Sequence, residues 1–299
     1  MRVAFAGLAT DYHPAMDARL LRERGVHDLV VWAEDAARFA AESGARPAGT
    51  LDALIAARPD AAIVTCRPAS VPDVVRRLAA AGIPAFITKP AVGTAADLAR
   101  LDEVVTAARA PVSTASVLRF APETARLRAR LGDAPVLGVR VTVRHAIDAY
   151  LAPERRWLDD PARGGGTLAT MGLHGVELAS ALLGTGLTAR WAARASRVHA
   201  GSLSEDTGVI GLGWPDGRHG VVEVLGATER EWYEAAVHTS EGTHAVRLDG
   251  AAPGPDPFGY AGTVEAFLAG VAAGRPAVPW ATTREVLAAL VTARSLAGG

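Results

Sequence analysis

Short apolar runs and helical periods alternate along the first 110 residues. "RVAFAG" (2–7), "DLVVWAED" (28–35), "AAIVTC" (61–66), "PAFITKP" (84–90) and "PVSTAS" (111–116) read as strands. Between them, "PAMDARLLRERG" (14–25), "AARFAAESG" (36–44), "TLDALIAARPD" (50–60), "VPDVVRRLAAAG" (71–82) and "TAADLARLDEVVTAA" (94–108) space their apolar residues as helices do. Thr50 or Asp52 caps one helix and Thr94 another, and Gly25, Gly44 and Gly82 stop others. These strands lack an apolar–polar alternation, so both their faces are covered. Strands separated by helices pair in parallel, which predicts a doubly wound sheet.

After about residue 120 the pattern changes. "APETARLRARLG" (121–132) is a helix, and "VLGVRVTVRHAID" (136–148) then alternates strictly. Val139, Val141 and Val143 fall on one face, with Arg140, Thr142 and Arg144 on the other. That is a strand with one wet face, as in antiparallel sheets. Further strands are predicted in "TARWAARASRVHA", "DTGVIGLGWPDG", "RHGVVEVLGA", "WYEAAVHTSEG" and "THAVRLDG", joined by turns at "PDG" (215–217) and "SEG" (240–242). "DGAAPGPDPFG" is a Gly/Pro-rich loop, and two helices close the chain. The expected fold class is α/β. A Rossmann-type dinucleotide-binding domain spans 1–118, and an α+β domain with a largely antiparallel open sheet spans 119–299.

Composition narrows the function. The 299 residues are 49% hydrophobic and 21% charged, with a formal net charge of −1. A large core is affordable, and the basic excess that nucleic acid demands is missing. The single cysteine, Cys66, allows no internal disulfide and suits a reducing compartment. No Cys/His spacing of zinc type occurs, so no metal site is expected. The start reads as a strand rather than a leader, and no apolar run is long enough to span a bilayer. A cytoplasmic protein acting on a small molecule is expected.

Ligands of doubly wound sheets bind at the carboxyl ends of the strands. "AFAGLATDY" stands where a Gly-x-Gly-x-x-Gly loop would bring backbone close to a pyrophosphate. Gly7 is present, but Ala9 and Tyr12 occupy the second and third glycine positions. Tyr12 would either push the helix off the strand or turn outward. Glu34 lies about 20 residues beyond Gly7, where a carboxylate meets ribose hydroxyls and disfavours a 2′-phosphate. NAD is therefore favoured over NADP. The candidate cofactor contacts are Gly7, Leu8, Ala9, Thr10, Glu34, Arg38, Cys66, Arg67, Pro68, Lys89 and Pro90.

"TKP" (88–90), "RF" (119–120) and "RWLDDPARGGGTLATMGLHGVEL" (156–178) together resemble the Gfo/Idh/MocA oxidoreductases. That family carries Glu-Lys-Pro at the first point, and at the last a tryptophan, a glycine run and Asp-x-Gly-x-His. The resemblance implies NAD(P)-dependent hydride transfer on sugars, cyclitols or related hydroxyl and carbonyl compounds. It also implies an open sheet that often joins subunits, hence a homodimer or homotetramer. By match, Lys89 and His174 line the substrate pocket, His174 as acid/base and Lys89 stabilising charge on the substrate oxygen. Thr170 stands where the family has aspartate, and is expected to orient His174. Arg119, Tyr150, Arg156 and Trp157 are expected to shape the polyol end, and the glycine run to bring backbone close to the pocket. Two other readings stay open: NAD-assisted lyase or glycosidase chemistry, and a sensor or scaffold that has lost catalysis.

Overall fold

The computed structural model describes residues 1–10, 12–251 and 256–297, so part of the Gly/Pro-rich loop lies outside the described residues. The chain forms two compact units. The first comprises 1–92, 99–115 and 263–280; the second comprises 93–98, 116–262 and 281–299.

The first unit is built on β1 (Arg2–Ala6), α1 (Tyr12–Glu23), β2 (Asp28–Trp32), α2 (Ala36–Ser43), β3 (Arg46–Pro47), α3 (Leu51–Ala56), β4 (Ala61–Val64), α4 (Val71–Ala80), β5 (Ala85–Ile87), most of α5 (Ala95–Ala107) and β6 (Val112–Thr114). All six strands are parallel, in the order β3-β2-β1-β4-β5-β6. The chain starts at the centre, winds outward on one side, then restarts beside β1. The reversal between β1 and β4 is the topological switch point of such sheets. The core strands read apolar throughout because both faces are covered: Val3, Phe5, Ala62 and Val64 are all buried. Strand β3, two residues long, was missed in the sequence because it carries no apolar run. Thr50 rather than Asp52 caps α3, accepting the Ala53 N–H at 3.0 Å.

The second unit carries α6 (Pro122–Leu131), β7 (Val136–Ala146), α7 (Arg156–Asp159), α8 (Gly166–Thr170), α9 (Gly172–Leu183), β8 (Thr188–Ala195), β9 (Thr207–Gly213), β10 (His219–Leu225), β11 (Ala227–Thr239) and β12 (Gly242–Asp249). Its sheet runs β12-β11-β7-β10-β9-β8, antiparallel except where β10 lies parallel to β7. Val139, Val141 and Val143 point into the core, as their alternation required. Of the two closing helices, most of α10 (Tyr260–Ala272) belongs to the first unit and α11 (Trp280–Leu296) to the second. In the first unit Phe267 meets Phe86 edge-on with ring centroids 6.1 Å apart, within the usual spacing of aromatic pairs.

Two buried carboxylates hold the irregular segment between β8 and β9. Asp159 accepts the N–H of Leu203 at 2.6 Å and the Ser204 hydroxyl at 2.8 Å. Asp206 accepts three successive N–H groups, from Arg197, Val198 and His199, at 2.7 to 3.0 Å. Burial pushes both carboxyls up, but these donors outweigh it and hold them below the ordinary range. An unfolded aspartate titrates near 3.9. The stabilisation is therefore complete above that value and lost as pH falls through the lower folded one. Asp206→Ala is expected to lower stability by about 3 kcal/mol at neutral pH. Denaturant melts of the two proteins should converge as the pH drops below about 4.

Candidate functional site

In the first unit the switch point is formed by the turns after β1 and β4. Gly7 takes a left-handed φ of +84°, and a Cβ there would lie 2.6 Å from the Cys66 sulfur. Only glycine lets the turn pass this close to the end of β4. The Gly7 N–H bonds Trp32 O at 2.8 Å, and the Ala9 N–H bonds Thr65 O at 2.8 Å. The second glycine position of the fingerprint thus spends its N–H on the neighbouring strand. The hydroxyls of Thr10 and Thr65 are buried and make no hydrogen bond to any described residue. Tyr12 turns outward, 55% exposed, and α1 begins on it, two residues earlier than its pattern predicted.

Glu34, Arg38 and Arg67 are exposed at the carboxyl edge of this sheet, and Leu8 and Lys89 are half-buried. The Lys89–Pro90 bond is cis. His13, absent from the sequence-derived site, lies within electrostatic reach of Lys89. Its imidazole is pushed down to about 3, by burial first and then by the Lys89 charge. One turn on, burial pushes Asp17 up to about 7. The Cys66 thiol donates to Ala6 O at 3.2 Å, and burial pushes it up to about 12.

In the second unit one helix organises the polar residues. Every residue of α9 is buried, yet it carries His174, Glu177 and Ser180 at intervals of three. Residues three apart share a helix face. The short 3₁₀ turn Val117–Phe120 and its N-cap Ser116 meet that stripe. Ser116 Oγ lies 2.6 Å from His174 Nδ1. Arg119 Nε donates to Glu177, and its second amino group reaches Ser180 Oγ at 3.2 Å. Burial raises the Glu177 carboxyl, and Arg119 offsets part of that rise. The Tyr233 ring packs 5.2 Å from His174, and its hydroxyl donates to Glu231 at 2.5 Å.

This arrangement corrects several expectations. Thr170 does not orient His174: its hydroxyl donates back along the helix to Gly166 O at 2.9 Å, as threonines in helices do. Ser116, missed in the sequence, takes that place. Arg119 is committed to Glu177 and Ser180 rather than to a substrate. Trp157 is a core side chain, 2% exposed, and Arg156 donates to Gly201 O at 2.5 Å. Tyr150 is buried, with its hydroxyl 3.8 Å from the Met171 sulfur. The glycine run also has a structural cause. Gly165 and Gly166 have φ of +95° and +75°, and a Cβ on Gly166 would sit 2.8 Å from Ser204 Cβ. Beyond the turn, the Glu205 carboxylate caps α8 by accepting the Leu168 N–H at 2.6 Å.

A separate cavity of about 580 Å³ in the second unit is lined by Arg194, Arg294, Glu205 and several hydroxyl side chains, and by none of the predicted site residues. Its guanidinium groups are engaged: Arg194 with Glu205, and Arg294 with the carbonyls of Gly93 and Pro161. Among the described residues no group of three His, Cys, Asp or Glu could hold a metal ion, and no helix is long and apolar enough to cross a membrane.

Cys66 supplies a test of the switch-point geometry. With its thiol near 12, iodoacetamide at pH 8 should alkylate it about three orders of magnitude more slowly than an ordinary free cysteine. Alkylation at an ordinary rate would show that β4 ends in a wetter environment than this packing gives.

A family model for the GFO/IDH/MocA C-terminal domain matches residues 128–245. Solved structures are similar over the whole chain. GenD2 from gentamicin A biosynthesis, in complex with NAD, is 22% identical with a TM-score of 0.81, covering 100% of this chain and 93% of that one. A probable dehydrogenase from Thermotoga maritima is 18% identical (TM-score 0.83; 100% and 97% covered). The myo-inositol 2-dehydrogenase of Lactobacillus plantarum is 17% identical (TM-score 0.82; 100% and 97% covered). No curated protein matches the chain by sequence. Residues 128–245 are therefore similar to a GFO/IDH/MocA C-terminal domain, and the whole chain shares its fold with these solved structures.

Proposed function

We propose that this protein is a nicotinamide-dependent oxidoreductase acting on a sugar, cyclitol or related hydroxyl or carbonyl compound. The observation that carries this reading is the β1/β4 switch point, with its left-handed Gly7 turn. The residues present fit a dinucleotide. Gly7 keeps the turn close against the end of β4, where a Cβ would meet the Cys66 sulfur, and Thr10 and Thr65 hold buried hydroxyls with no partner among the described residues. The bound nicotinamide supplies or accepts the hydride.

The chain's own residues do the rest. Gly7 to Thr10 line the phosphate path, with Cys66, Arg67 and Pro68 at the adjoining strand end. Glu34 is an exposed carboxylate just past β2, placed to accept hydrogen bonds from ribose hydroxyls. Its charge repels a 2′-phosphate, which makes NAD the preferred form. Lys89 and His174 are the groups assigned to the substrate oxygen, as hydrogen-bond donors that stabilise its charge. NAD in the GenD2 crystal and the cyclitol named for the Lactobacillus plantarum enzyme support the cofactor and the substrate class. A homodimer or homotetramer belongs to the same reading. The outward face of the second sheet carries Trp232 between Arg144 and Arg247, whose guanidinium carbons lie 5.2 and 4.3 Å from the ring.

A non-catalytic role is the second reading. It is favoured by the Ala9 N–H spent on Thr65 and by the missing carboxylate at position 170.

Cofactor titration followed by nicotinamide fluorescence tests the assignment. NADH should bind saturably, and NADPH at least about tenfold more weakly, a difference of about 1.4 kcal/mol. Glu34→Ala should narrow that ratio without abolishing NADH binding. No binding at millimolar cofactor overturns the oxidoreductase reading. Binding of NADH without turnover on a panel of sugars, cyclitols and carbonyl compounds would favour the non-catalytic one.

A further inference from the structure

Ser116 is fully buried, and its hydrogen bonds fix more than its own position. Its Oγ accepts the Leu118 N–H at 3.2 Å and lies 2.6 Å from His174 Nδ1. A hydroxyl carries one proton and can accept two more. Suppose Nδ1 held the ring proton. Oγ would then accept from both neighbours, and its own hydrogen would face no acceptor among the described residues in a dry interior. Buried polar hydrogens are rarely left that way. If Oγ–H instead donates to Nδ1, both groups are satisfied and the ring proton sits on Nε2.

A charged ring would meet the same obstacle, since its Nδ1–H would again leave the Oγ hydrogen without an acceptor among the described residues. His174 lies in the first turn of α9, beside the positive end of the helix dipole. Thr170 offers no competing anchor, since its hydroxyl serves Gly166 O.

We propose that Ser116 is a positioning residue that holds His174 as the neutral Nε2–H tautomer, so that His174 offers the substrate oxygen a hydrogen-bond donor and not a base. The geometric half of this rests on the second unit alone; the catalytic half rests on the oxidoreductase reading. A neutral imidazole that gave up its Nε2 proton would become an imidazolate, which a hydroxyl partner does not stabilise. The proton therefore leaves or reaches the substrate oxygen through another group.

Long-range nitrogen–proton correlation spectra of the histidine-labelled full chain read the tautomer directly, with His174→Gln identifying the signals. The expected spectrum shows a protonated Nε2 and a pyridine-like Nδ1, and Ser116→Ala should shift the ring toward a mixture. A protonated Nδ1 in the unsubstituted protein overturns the proposal, as does a Ser116→Ala spectrum unchanged from it. If Ser116→Ala does not fold, the unsubstituted spectrum still decides. No substrate is needed, so this result and the cofactor titration fail independently. Once a substrate is found, His174→Gln, whose amide also donates, should retain at least tenfold more kcat than His174→Ala. Equal kcat in the two would remove the donor role.

Discussion

A helix buried on every side cannot carry a polar side chain without an internal partner, and that constraint shapes the second unit. Helix α9 has no exposed residue, yet it presents an imidazole, a carboxylate and a hydroxyl along one stripe. Each would be costly in a dry interior if unpaired. The segment 116–120 answers all of them, with Ser116 on His174 and Arg119 on Glu177 and Ser180. Spacing of three on the helix is met by spacing of three on the turn. The tautomer of His174, the engagement of Arg119 and the seating of α9 are thus consequences of one packing requirement.

Much of the fold was legible because covered parallel strands and half-wet antiparallel strands leave different periods in the sequence. The valine alternation in β7 and the unbroken apolar runs of β1 and β4 are direct prints of burial on one face or two. Strand β3 left no print, since two residues, Arg46 and Pro47, cannot show a period. The site was legible in part. Gly7 turns left-handed, and of the two outcomes open to Tyr12 the ring takes the outward one. The partner of His174 was not readable by helical spacing, because it lies 58 residues away in sequence. The polar stripe His174, Glu177, Ser180 was the available signal: three polar groups on an apolar helix demand partners. Arg119 was noticed but assigned outward, because a sequence does not show that a carboxylate waits for it inside.

The glycines of 164–166 show how one motif can serve a different need from the one first read into it. Their left-handed turn, the cap that Glu205 places on α8 and the carboxylates of Asp159 and Asp206 form a single scaffold around the segment 196–206. Backbone irregularity there is tolerated because buried carboxylates collect the N–H groups that a strand would otherwise satisfy. The motif builds the platform from which α9 starts.

The two departures from the family pattern in the first and second units differ in what they imply. At Ala9 the missing glycine is absorbed locally, since its N–H is engaged by Thr65 and the turn still passes over Gly7. At Thr170 the change is one of charge. A carboxylate and a hydroxyl can both hold an imidazole still, but only the carboxylate stabilises the ring once it has taken a proton. With Ser116 as the partner, holding the ring and making it a base have become separate properties. In the arrangement proposed for Ser116 the first is kept and the second is given up, and the base for the proposed reaction is then another group.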